Sequence, residues 1–326
     1  MKEKKIMSGM RPTGRLHLGH LAGVVDNWLK FQEDGGCFFE VADLHSLTDR
    51  TDHNMLQKNI IDMTTDWLAL GINPNKSTLF VQSEIPEHMV LYTLFSMITP
   101  LSWATHCPVF KDKTSGIEAI KKPSLGLLNY PVLQAADIAL YKGTHIPVGE
   151  DQAPHVELSR KIIRRFNDLY GKLFPEPETI LTSTPKIVGF DGRKMSKSLD
   201  NHLAPNHSDQ ELFTRTRKMI TDPQKIRLSD PGRPEICSVY AIHDIYNPNR
   251  ETVARECSSG ARGCVVCKDE LSKTLYSRFE EFRERRKEYE SKPEQVKDIL
   301  YEGSKRAREI AKRTLDETIC AMGIKF

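Results

Sequence analysis

The sequence predicts an α/β protein: a parallel sheet with helices in residues 1–200, and an α-helical domain in residues 201–326. The first observation is that short apolar runs alternate with helical segments before residue 200, an order typical of a parallel sheet. The second is that the sequence turns polar beyond residue 198 and then becomes helical, with charged amphipathic runs at 271–290 and 293–322. A chain of 326 residues suits two domains.

Four strands are predicted, each followed by a helical segment. The first begins at the apolar pair Ile6 and Met7, and the others are predicted at residues 37–41, 77–82 and 145–148. The helices that follow them are predicted at residues 21–33, at 54–70, from Pro86 onward, and at 156–170. In such a sheet ligands bind outside the carboxyl ends of the strands. The glycine-rich residues 7–20 and the Asp-Leu-His sequence at 43–45 fall at two such ends, which predicts one shared site.

The composition is that of an ordinary globular protein. Hydrophobic residues make up 39% and charged residues 28% of the chain, and no apolar run approaches the roughly 18 residues that span a bilayer. The charged residues 1–5 lead directly into a strand, so we expect no secretory signal and a cytoplasmic protein. A net charge of +3 does not by itself indicate a nucleic-acid partner.

A glycine-rich stretch at residues 7–20 joins the first strand to the first helix. Its glycines at 9, 14 and 19 allow a ligand close to the backbone, and the N–H groups of a helix start suit a phosphate. His17 and His20 add hydrogen-bond donors on the same side of the turn. Taken alone, the stretch is equally compatible with an ordinary strand-to-helix turn.

A second stretch, Lys-Met-Ser-Lys-Ser at residues 194–198, follows a turn-like segment at 189–193. Two lysines and two serines in one loop can neutralise and hydrogen-bond a polyphosphate. A solvated basic loop is the alternative.

Together, these two stretches resemble the HIGH and KMSKS motifs of class I aminoacyl-tRNA synthetases, and the details point to the tryptophanyl-tRNA synthetases of bacteria. The resemblance implies a Rossmann-like catalytic domain, an insertion at about residues 100–125 that forms a homodimer interface, and a helical domain that binds tRNA(Trp). For catalysis it implies His17, His20, Lys194 and Lys197. For ATP, with Mg²⁺ on the nucleotide, it implies Arg11, Pro12, Thr13, Gly19, His20, Gly149, Glu150, Asp151, Ile187, Lys194, Met195, Ser196, Lys197 and Ser198.

A polar stripe runs along the predicted helix at residues 129–141. Tyr130, Gln134, Asp137 and Tyr141 recur at spacings of four, three and four, so they share one face of an otherwise apolar helix. A carboxylate in such surroundings needs a partner. Asp137 is therefore either a helix-end residue bonded to nearby backbone or part of a small-molecule pocket.

The resemblance assigns this stripe to the substrate L-tryptophan. It implies that Asp137 accepts the indole N–H and that Met7, His45, Tyr130 and Gln152 complete the pocket. Residues 147–152 resemble the stretch that contacts the ribose, although Asp151 also suits a helix N-cap. The Gln134–Asp137 pair is similar to tyrosyl-tRNA synthetases, which remain an alternative, and a noncatalytic RNA-binding paralogue is another.

Four of the seven cysteines lie in one segment with the pattern C-x19-C-x6-C-x2-C, formed by Cys237, Cys257, Cys264 and Cys267. Four thiolates with a closing Cys-x2-Cys can hold a tetrahedral zinc ion or an iron–sulfur cluster, and free buried cysteines are the alternative. The pattern resembles that of the tryptophanyl enzymes with a structural [4Fe-4S] cluster, although the first gap here is shorter. Zn²⁺ remains open, because the ligands alone do not choose the metal.

Overall fold

The fold is built on a five-stranded parallel sheet with the order β3-β2-β1-β4-β5. This computed structural model describes residues 4–48, 53–114, 123–181 and 187–324. The predicted insertion at residues 100–125 lies partly outside the described residues, since 115–122 are not among them. The strands are β1 (Ile6–Met10), β2 (Cys37–Val41), β3 (Ser77–Val81), β4 (His145–Val148) and β5 (Glu178–Leu181).

Helices connect the strands and make up most of the rest of the described chain. Those of the first half are α1 (Leu18–His20), α2 (Asp26–Phe31), α3 (Asp43–Ser46), α4 (Leu56–Leu70), α5 (Glu87–Ile98), α6 (Leu101–Thr105), α7 (Pro108–Thr114), α8 (Leu125–Leu140) and α9 (Ala153–Tyr170). Those of the second half are α10 (Asp209–Arg217), α11 (Ser238–Tyr246), α12 (Arg250–Ser258), α13 (Cys264–Arg278), α14 (Glu280–Glu290) and α15 (Pro293–Ala321). None of the helices in these ranges is both long and apolar enough to cross a membrane. The predicted α/β class with a helical C-terminal region is confirmed.

The chain divides into two compact units that do not follow chain order. The sheet unit contains the described residues of Met1–Gly14, Asn27–Ser183 and Lys292–Phe326. The motif unit contains those of Arg15–Asp26 and Thr184–Ser291. The last helix, α15, thus packs with the sheet, whereas both predicted nucleotide motifs contribute to the motif unit. The division at residue 200 that the resemblance implies concerns function and stays a prediction.

Helices α5, α8 and α9 form the core of the sheet unit with apolar residues of the strands. Their largest buried side chains include Phe80, Phe95, Phe166 and Tyr141. Tyr141 stacks on Phe38 of β2 with the ring centroids 4.8 Å apart. This packing explains why residues 129–141 are apolar around their polar stripe: the helix is buried on nearly all sides.

Helix α15 covers β3, which is the outer strand on one side of the sheet. The backbone N–H of Val81 donates to the hydroxyl of Ser304 at 3.1 Å, so the helix satisfies a group that a sheet edge leaves unpaired. Gly303 permits this approach, because a Cβ at that position would lie 1.7 Å from the carbonyl oxygen of Leu79.

In the motif unit, α10 packs against α13, and α11 and α12 surround the cysteine segment. The buried residues at its centre include Leu212, Val239, Ile242, Leu271 and Leu275. Residues 18–25 enter this unit as α1 followed by a π-helical turn, Leu21–Val25, rather than as one regular helix. The charged run at 271–290 is likewise divided between α13 and α14, because Phe279 leaves helical geometry and packs against Tyr246.

Candidate active site

The two histidines of the first motif lie together at the start of α1. The backbone N–H of His17 donates to Nδ1 of His20 at 3.2 Å, and the N–H of His20 donates to the carbonyl of His17 at 2.8 Å. Their rings stack with centroids 3.7 Å apart. The stretch therefore holds both imidazoles in a fixed orientation at a helix N-terminus.

Both histidines are uncharged at neutral pH. Burial, followed by the charges of Lys197 and His202, lowers the pKa of His17 to about 3. Burial and the neighbouring His17 and Lys197 also lower the pKa of His20 well below its usual value. Each ring can donate one N–H to a phosphate oxygen, but the positive charge of this region comes from the lysines.

The second motif is held by a side chain that the sequence reasoning missed, Asn201. Its Oδ1 accepts the backbone N–H of Ser196 at 2.7 Å, and its Nδ2 donates to Asp191 at 2.7 Å and to the carbonyl of Lys194 at 3.1 Å. Asn201 is fully buried. The one available signal was an Asn in the polar run after residue 198, a residue type that often bonds to loop backbone.

The lysines and serines of this loop have different surroundings. Lys197 Nζ donates to the carbonyl of Arg15 at 2.7 Å, which ties the loop to the segment that carries the histidines. Ser196 and Ser198 share a hydrogen bond between their hydroxyls at 2.8 Å. Lys194 is exposed and Met195 is buried. The four residues predicted for catalysis thus lie in one unit, with both lysines close enough to affect His17 electrostatically.

The other residues predicted for ATP fall in both units. Arg11, Pro12 and Thr13 follow β1, and Gly149 and Glu150 follow β4. Because β1 and β4 are parallel neighbours, these two loops lie at the same edge of the sheet. Gly19 belongs to α1, and Ile187 is a buried residue of the motif unit. The side chain of Asp151 lies outside the described part of the structure.

Asp137 is the centre of a buried polar cluster in the sheet unit. Gln82 Nε2 donates to its Oδ1 at 3.0 Å, and His88 Nδ1 lies 2.7 Å from the same oxygen. His45 Nε2 lies 2.8 Å from Oδ2. Nε2 of His88 in turn lies 2.8 Å from the hydroxyl of Tyr141. Three donors from different elements therefore hold a carboxylate that is only 3% exposed.

The charges in this cluster follow from its hydrogen bonds. Burial alone favours the neutral acid, but the hydrogen bonds from His45 and His88 outweigh it and hold the pKa of Asp137 below its usual value. Burial, together with Asp137 and Asp43, raises the pKa of Glu40 well above its usual value. In this cluster the surroundings thus favour the ionised form of Asp137 and the protonated form of Glu40.

A second polar chain connects other residues predicted for tryptophan. The Tyr130 hydroxyl lies 2.7 Å from Nε2 of His155, whose Nδ1 lies 2.9 Å from Oε1 of Gln152. The Tyr130 ring also meets the ring of His45 edge to face, with the centroids 6.2 Å apart. Tyr130, Gln152, His45 and Asp137 therefore lie in one connected region, whereas Met7 is buried in the apolar core.

Four residues of these clusters were missed by the sequence reasoning: Gln82, His88, Glu40 and His155. Three of them belong to elements that were predicted, the strand at 77–82, the strand at 37–41 and the helix after Pro86. Nothing local distinguishes them, because their partners lie more than 40 residues away in the chain. His155, three residues after Gln152, was the one with a nearby signal.

The four clustered cysteines lie at the ends and inner faces of three helices. Cys237 precedes α11, Cys257 lies near the end of α12, and Cys264 and Cys267 lie in the first turns of α13. Burial and then the charge of Cys237 raise the pKa of both Cys257 and Cys267, so these thiols are near one another. None of the four is in a disulfide. The residues present fit a thiolate-ligated centre.

The sulfur atoms are spread more widely than a single zinc ion requires. A tetrahedral zinc site with Zn–S bonds of about 2.3 Å holds its sulfurs about 3.8 Å apart. Within the described ranges, the group of possible metal ligands whose atoms lie within 4.8 Å of one another is Glu40, His88 and Asp137, and the cysteines do not form such a group.

A polar network supports the cysteine segment from within. Buried His243 lies with Nε2 3.1 Å from the carbonyl of Cys267, and Asn247 donates to both His243 and Glu270. Arg262 bridges Glu270 and Glu256. These contacts fix the backbone that carries Cys267.

Comparisons with known proteins agree with this arrangement. A profile of the family described as tRNA synthetases class I (W and Y) matches residues 1–282. The chain is 45% identical to the tryptophan–tRNA ligase of Thermotoga maritima, covering 99% of this chain and 100% of the relative, and 42% identical to that of Aquifex aeolicus, covering 98% and 100%. The crystal structure of the Campylobacter jejuni tryptophanyl-tRNA synthetase, complexed with ADP and tryptophan, superposes with a TM-score of 0.85 at 32% identity, covering 98% of this chain and 99% of that one. The chain belongs to the class I aminoacyl-tRNA synthetases of the tryptophan and tyrosine family, and within that family to the tryptophan–tRNA ligases.

Proposed function

We propose that this chain activates L-tryptophan with ATP, releasing pyrophosphate, and transfers the tryptophanyl group from the adenylate to tRNA(Trp). Its membership of the tryptophan–tRNA ligases supports the reaction. The observation that carries the choice of substrate is buried, ionised Asp137. Its Oδ1 receives two hydrogen bonds and its Oδ2 receives one, from His45, so Oδ2 can accept one further donor such as the indole N–H.

The chemistry of the first step needs no covalent enzyme nucleophile. A carboxylate oxygen of tryptophan attacks the α-phosphorus of ATP, the bond from that phosphorus to the bridging oxygen breaks, and pyrophosphate leaves. In the second step a ribose hydroxyl of the tRNA attacks the carbonyl carbon, and AMP leaves. The protein accelerates both steps by holding the reactants together and stabilising the charge of the phosphates.

The residues of the two motifs divide these tasks. We assign Lys194 and Lys197 to charge neutralisation and neutral His17 and His20 to hydrogen bonding of phosphate oxygens. Mg²⁺ bound to the nucleotide supplies further positive charge at the departing pyrophosphate. The remaining proposed ATP contacts are Arg11, Pro12, Thr13, Gly19, Gly149, Glu150, Asp151, Ile187, Met195, Ser196 and Ser198.

Tryptophan is assigned to the region around Asp137, His45, Tyr130 and Gln152, with Met7 behind it. A pocket built to hydrogen-bond a donor rejects analogues that lack the donor, because its acceptor is then buried without a partner. This discrimination would let the chain select its amino acid at the activation step.

ATP–pyrophosphate exchange on the purified protein, with tryptophan and tyrosine in parallel, tests the proposal. We expect exchange with tryptophan alone, and we expect Asp137→Asn to lower kcat/KM for tryptophan by roughly tenfold to a hundredfold, since a charged acceptor is lost. Asp168→Asn makes the same chemical change on the exposed face of α9 and is the control. Unchanged exchange in Asp137→Asn would show that Asp137 is not the acceptor of the indole N–H. Exchange with tyrosine would favour a tyrosyl enzyme, and no exchange would favour a noncatalytic paralogue.

We further propose that Cys237, Cys257, Cys264 and Cys267 hold a structural [4Fe-4S] cluster. Their four thiols and their proximity support a thiolate-bound centre, and the similarity of the cysteine pattern to that of the cluster-bearing tryptophanyl enzymes favours the cluster over Zn²⁺. The cluster would fix the segment that α11, α12 and α13 share, and it would take no part in the reaction.

Metal analysis of anaerobically purified protein separates the two metals. We expect about four iron atoms per chain, the visible absorption of an iron–sulfur cluster, and the loss of both in Cys267→Ser. Cys320→Ser, on the exposed end of α15, is the control and should keep its iron. One zinc per chain would favour the zinc alternative, and no metal would mean free thiols.

The partners and location follow the family. We propose a homodimer, supported by exposed apolar side chains around the predicted insertion: Met97 at 74%, Leu101 at 69% and Leu125 at 77% exposure. We propose that tRNA(Trp) binds the helical residues 201–326 and that the protein is cytoplasmic. One arginine in this range, Arg286, is buried and paired with Glu290, so its side chain is not available to contact RNA phosphates.

A further inference from the structure

A second carboxyl group lies beneath the Asp137 cluster, on β2. Glu40 is only 2% exposed and stands beside Gly9 of β1 in the parallel register. A Cβ on Gly9 would lie 3.1 Å from Oε2 of Glu40, so β1 leaves the space that this carboxyl group needs. Neither of the two synthetase motifs explains why the chain puts a glutamate here.

Glu40 is aimed at the imidazole that holds Asp137. Its Oε1 lies 4.0 Å from Nδ1 of His88 and has no hydrogen-bond partner among the described residues. Nδ1 of His88 is already hydrogen-bonded to Asp137 at 2.7 Å. Glu40, His88 and Asp137 thus form a compact buried triad. The triad would contain two negative charges unless a proton or a metal ion neutralises one of the carboxylates.

The surroundings favour the proton. Asp137 and Asp43 both face Glu40, so an ionised Glu40 would be a further negative charge in a buried site. The titratable groups that meet the cluster from the other elements are His88 of α5, His45 of α3 and Tyr141, which follows α8. Burial raises the pKa of Tyr141 well above its usual value, so the phenol stays protonated alongside Glu40.

Nδ1 of His88 faces both carboxyl groups. Ionised Asp137 can only accept, so Nδ1 of His88 carries a hydrogen, and Nε2 of the same ring accepts the O–H of Tyr141. When Glu40 is neutral, Asp137 is the carboxylate that receives the hydrogen of Nδ1. When Glu40 is ionised, a second negative charge lies 4.0 Å from Nδ1 and competes with Asp137 for that hydrogen bond.

We propose that Glu40 is a positioning residue for tryptophan recognition that acts as a neutral carboxylic acid: it fills the space beside His88 and keeps that ring aligned on Asp137. This inference rests on the proposed role of Asp137 as the indole acceptor. Glu40 itself is not assigned a contact with substrate. Its effect on tryptophan is transmitted through His88.

The test compares Glu40→Gln with Glu40→Ala in ATP–pyrophosphate exchange. The Gln variant keeps the shape without an ionisable group, and we expect its KM for tryptophan to lie within about threefold of the unsubstituted value at neutral pH. The Ala variant leaves a cavity beside His88, and we expect roughly a tenfold higher KM for tryptophan with the KM for ATP unchanged. Thermal unfolding of each variant checks that it is folded.

Two readouts report the proton itself. Raising the pH ionises Glu40, so the KM of the unsubstituted protein for tryptophan should rise at alkaline pH, and Glu40→Gln should lose this rise. Difference infrared spectroscopy between the unsubstituted protein and Glu40→Gln should show a carboxylic acid C=O band that the variant lacks. Neither readout changes if Glu40 is only a packing residue in ionised form.

Several outcomes would overturn the proposal. A Gln variant as impaired as the Ala variant would mean that a carboxylate is required, and bound metal lost from Glu40→Gln would make the triad a metal site. An Ala variant with unchanged KM would remove Glu40 from recognition. Failure of the proposed role of Asp137 gives a different result. In that case Asp137→Asn leaves exchange unchanged, and the Glu40 variants have no effect on tryptophan recognition that Asp137 could transmit.

Discussion

At the scale of single residues, the main property of this protein is the protonation state of its buried histidines. His17, His20, His202, His207 and His243 all have a lowered pKa, in each case chiefly because burial disfavours the charged ring. All five belong to the motif unit. A neutral ring can accept a backbone N–H, as His207 does from Ala204 at 3.2 Å.

These histidines make stability depend on pH in a defined direction. The pKa of His207 is about 4 in the folded protein because of burial and then Arg215, whereas an unfolded histidine titrates near 6.5. Between these values the unfolded chain binds the extra proton, so the free energy of unfolding is largest above pH 6.5 and falls on acidification.

Between pH 6.5 and 4.5, we expect His207→Asn to lose less free energy of unfolding than the unsubstituted protein, by at most about 2 kcal/mol. Chemical denaturation at the two pH values measures this difference. His106→Asn, at an exposed ring of the sheet unit, should leave the pH slope unchanged. Equal slopes in His207→Asn and the unsubstituted protein would show that His207 is not the group responsible.

Residues with a local signature were predictable, and residues whose role depends on distant partners were not. Lys194 and Lys197 belong to a recognisable string, and the stripe of Tyr130 and Asp137 follows from helical spacing. Asn201 and His88 are ordinary residues until the fold brings Ser196 or Asp137 to them. The state of Glu40 depends on burial and on a neighbour 97 positions away, which no local pattern contains.

At the scale of elements, packing between neighbouring elements determines the contacts that the periodicity of the sequence does not specify. The four predicted strands are present, whereas β5 was not predicted, because this half-exposed edge strand lacks a clear apolar run. The amphipathic pattern of residues 293–322 predicted a helix without naming its partner. The partner is β3, and the contact depends on Gly303.

Gly303→Ala should lower the free energy of unfolding by about 2 kcal/mol or more, since the added methyl group would meet the backbone of Leu79 rather than a movable side chain. Gly126→Ala is the matched control in helix α8 of the same unit, where the nearest atom would be 3.5 Å away. Denaturant titration of both variants measures the effect. A Gly303 variant as stable as the control would mean that α15 shifts freely on the sheet.

At the scale of the whole molecule, the fold class and function were predictable and the division into units was not. A linear reading of composition separates residues before and after 200. The packing instead assigns Arg15–Asp26 to the motif unit and Lys292–Phe326 to the sheet unit. Composition records what each segment is made of, whereas unit membership depends on which surfaces meet. Two helices rich in charged residues, α14 and α15, therefore fall in different units.

The attachment of α15 to β3 also determines when the protein becomes complete during translation. Val81 and Ser304 are 223 positions apart, so at about 5–20 residues per second the outer strand waits roughly 10–45 seconds for its cover to be synthesised. Throughout that interval a growing polypeptide carries an open strand edge, the kind of surface that recruits chaperones or pairs with another nascent chain. A product released before α15 is made retains that edge permanently, which marks it for quality control even though both nucleotide motifs are already present.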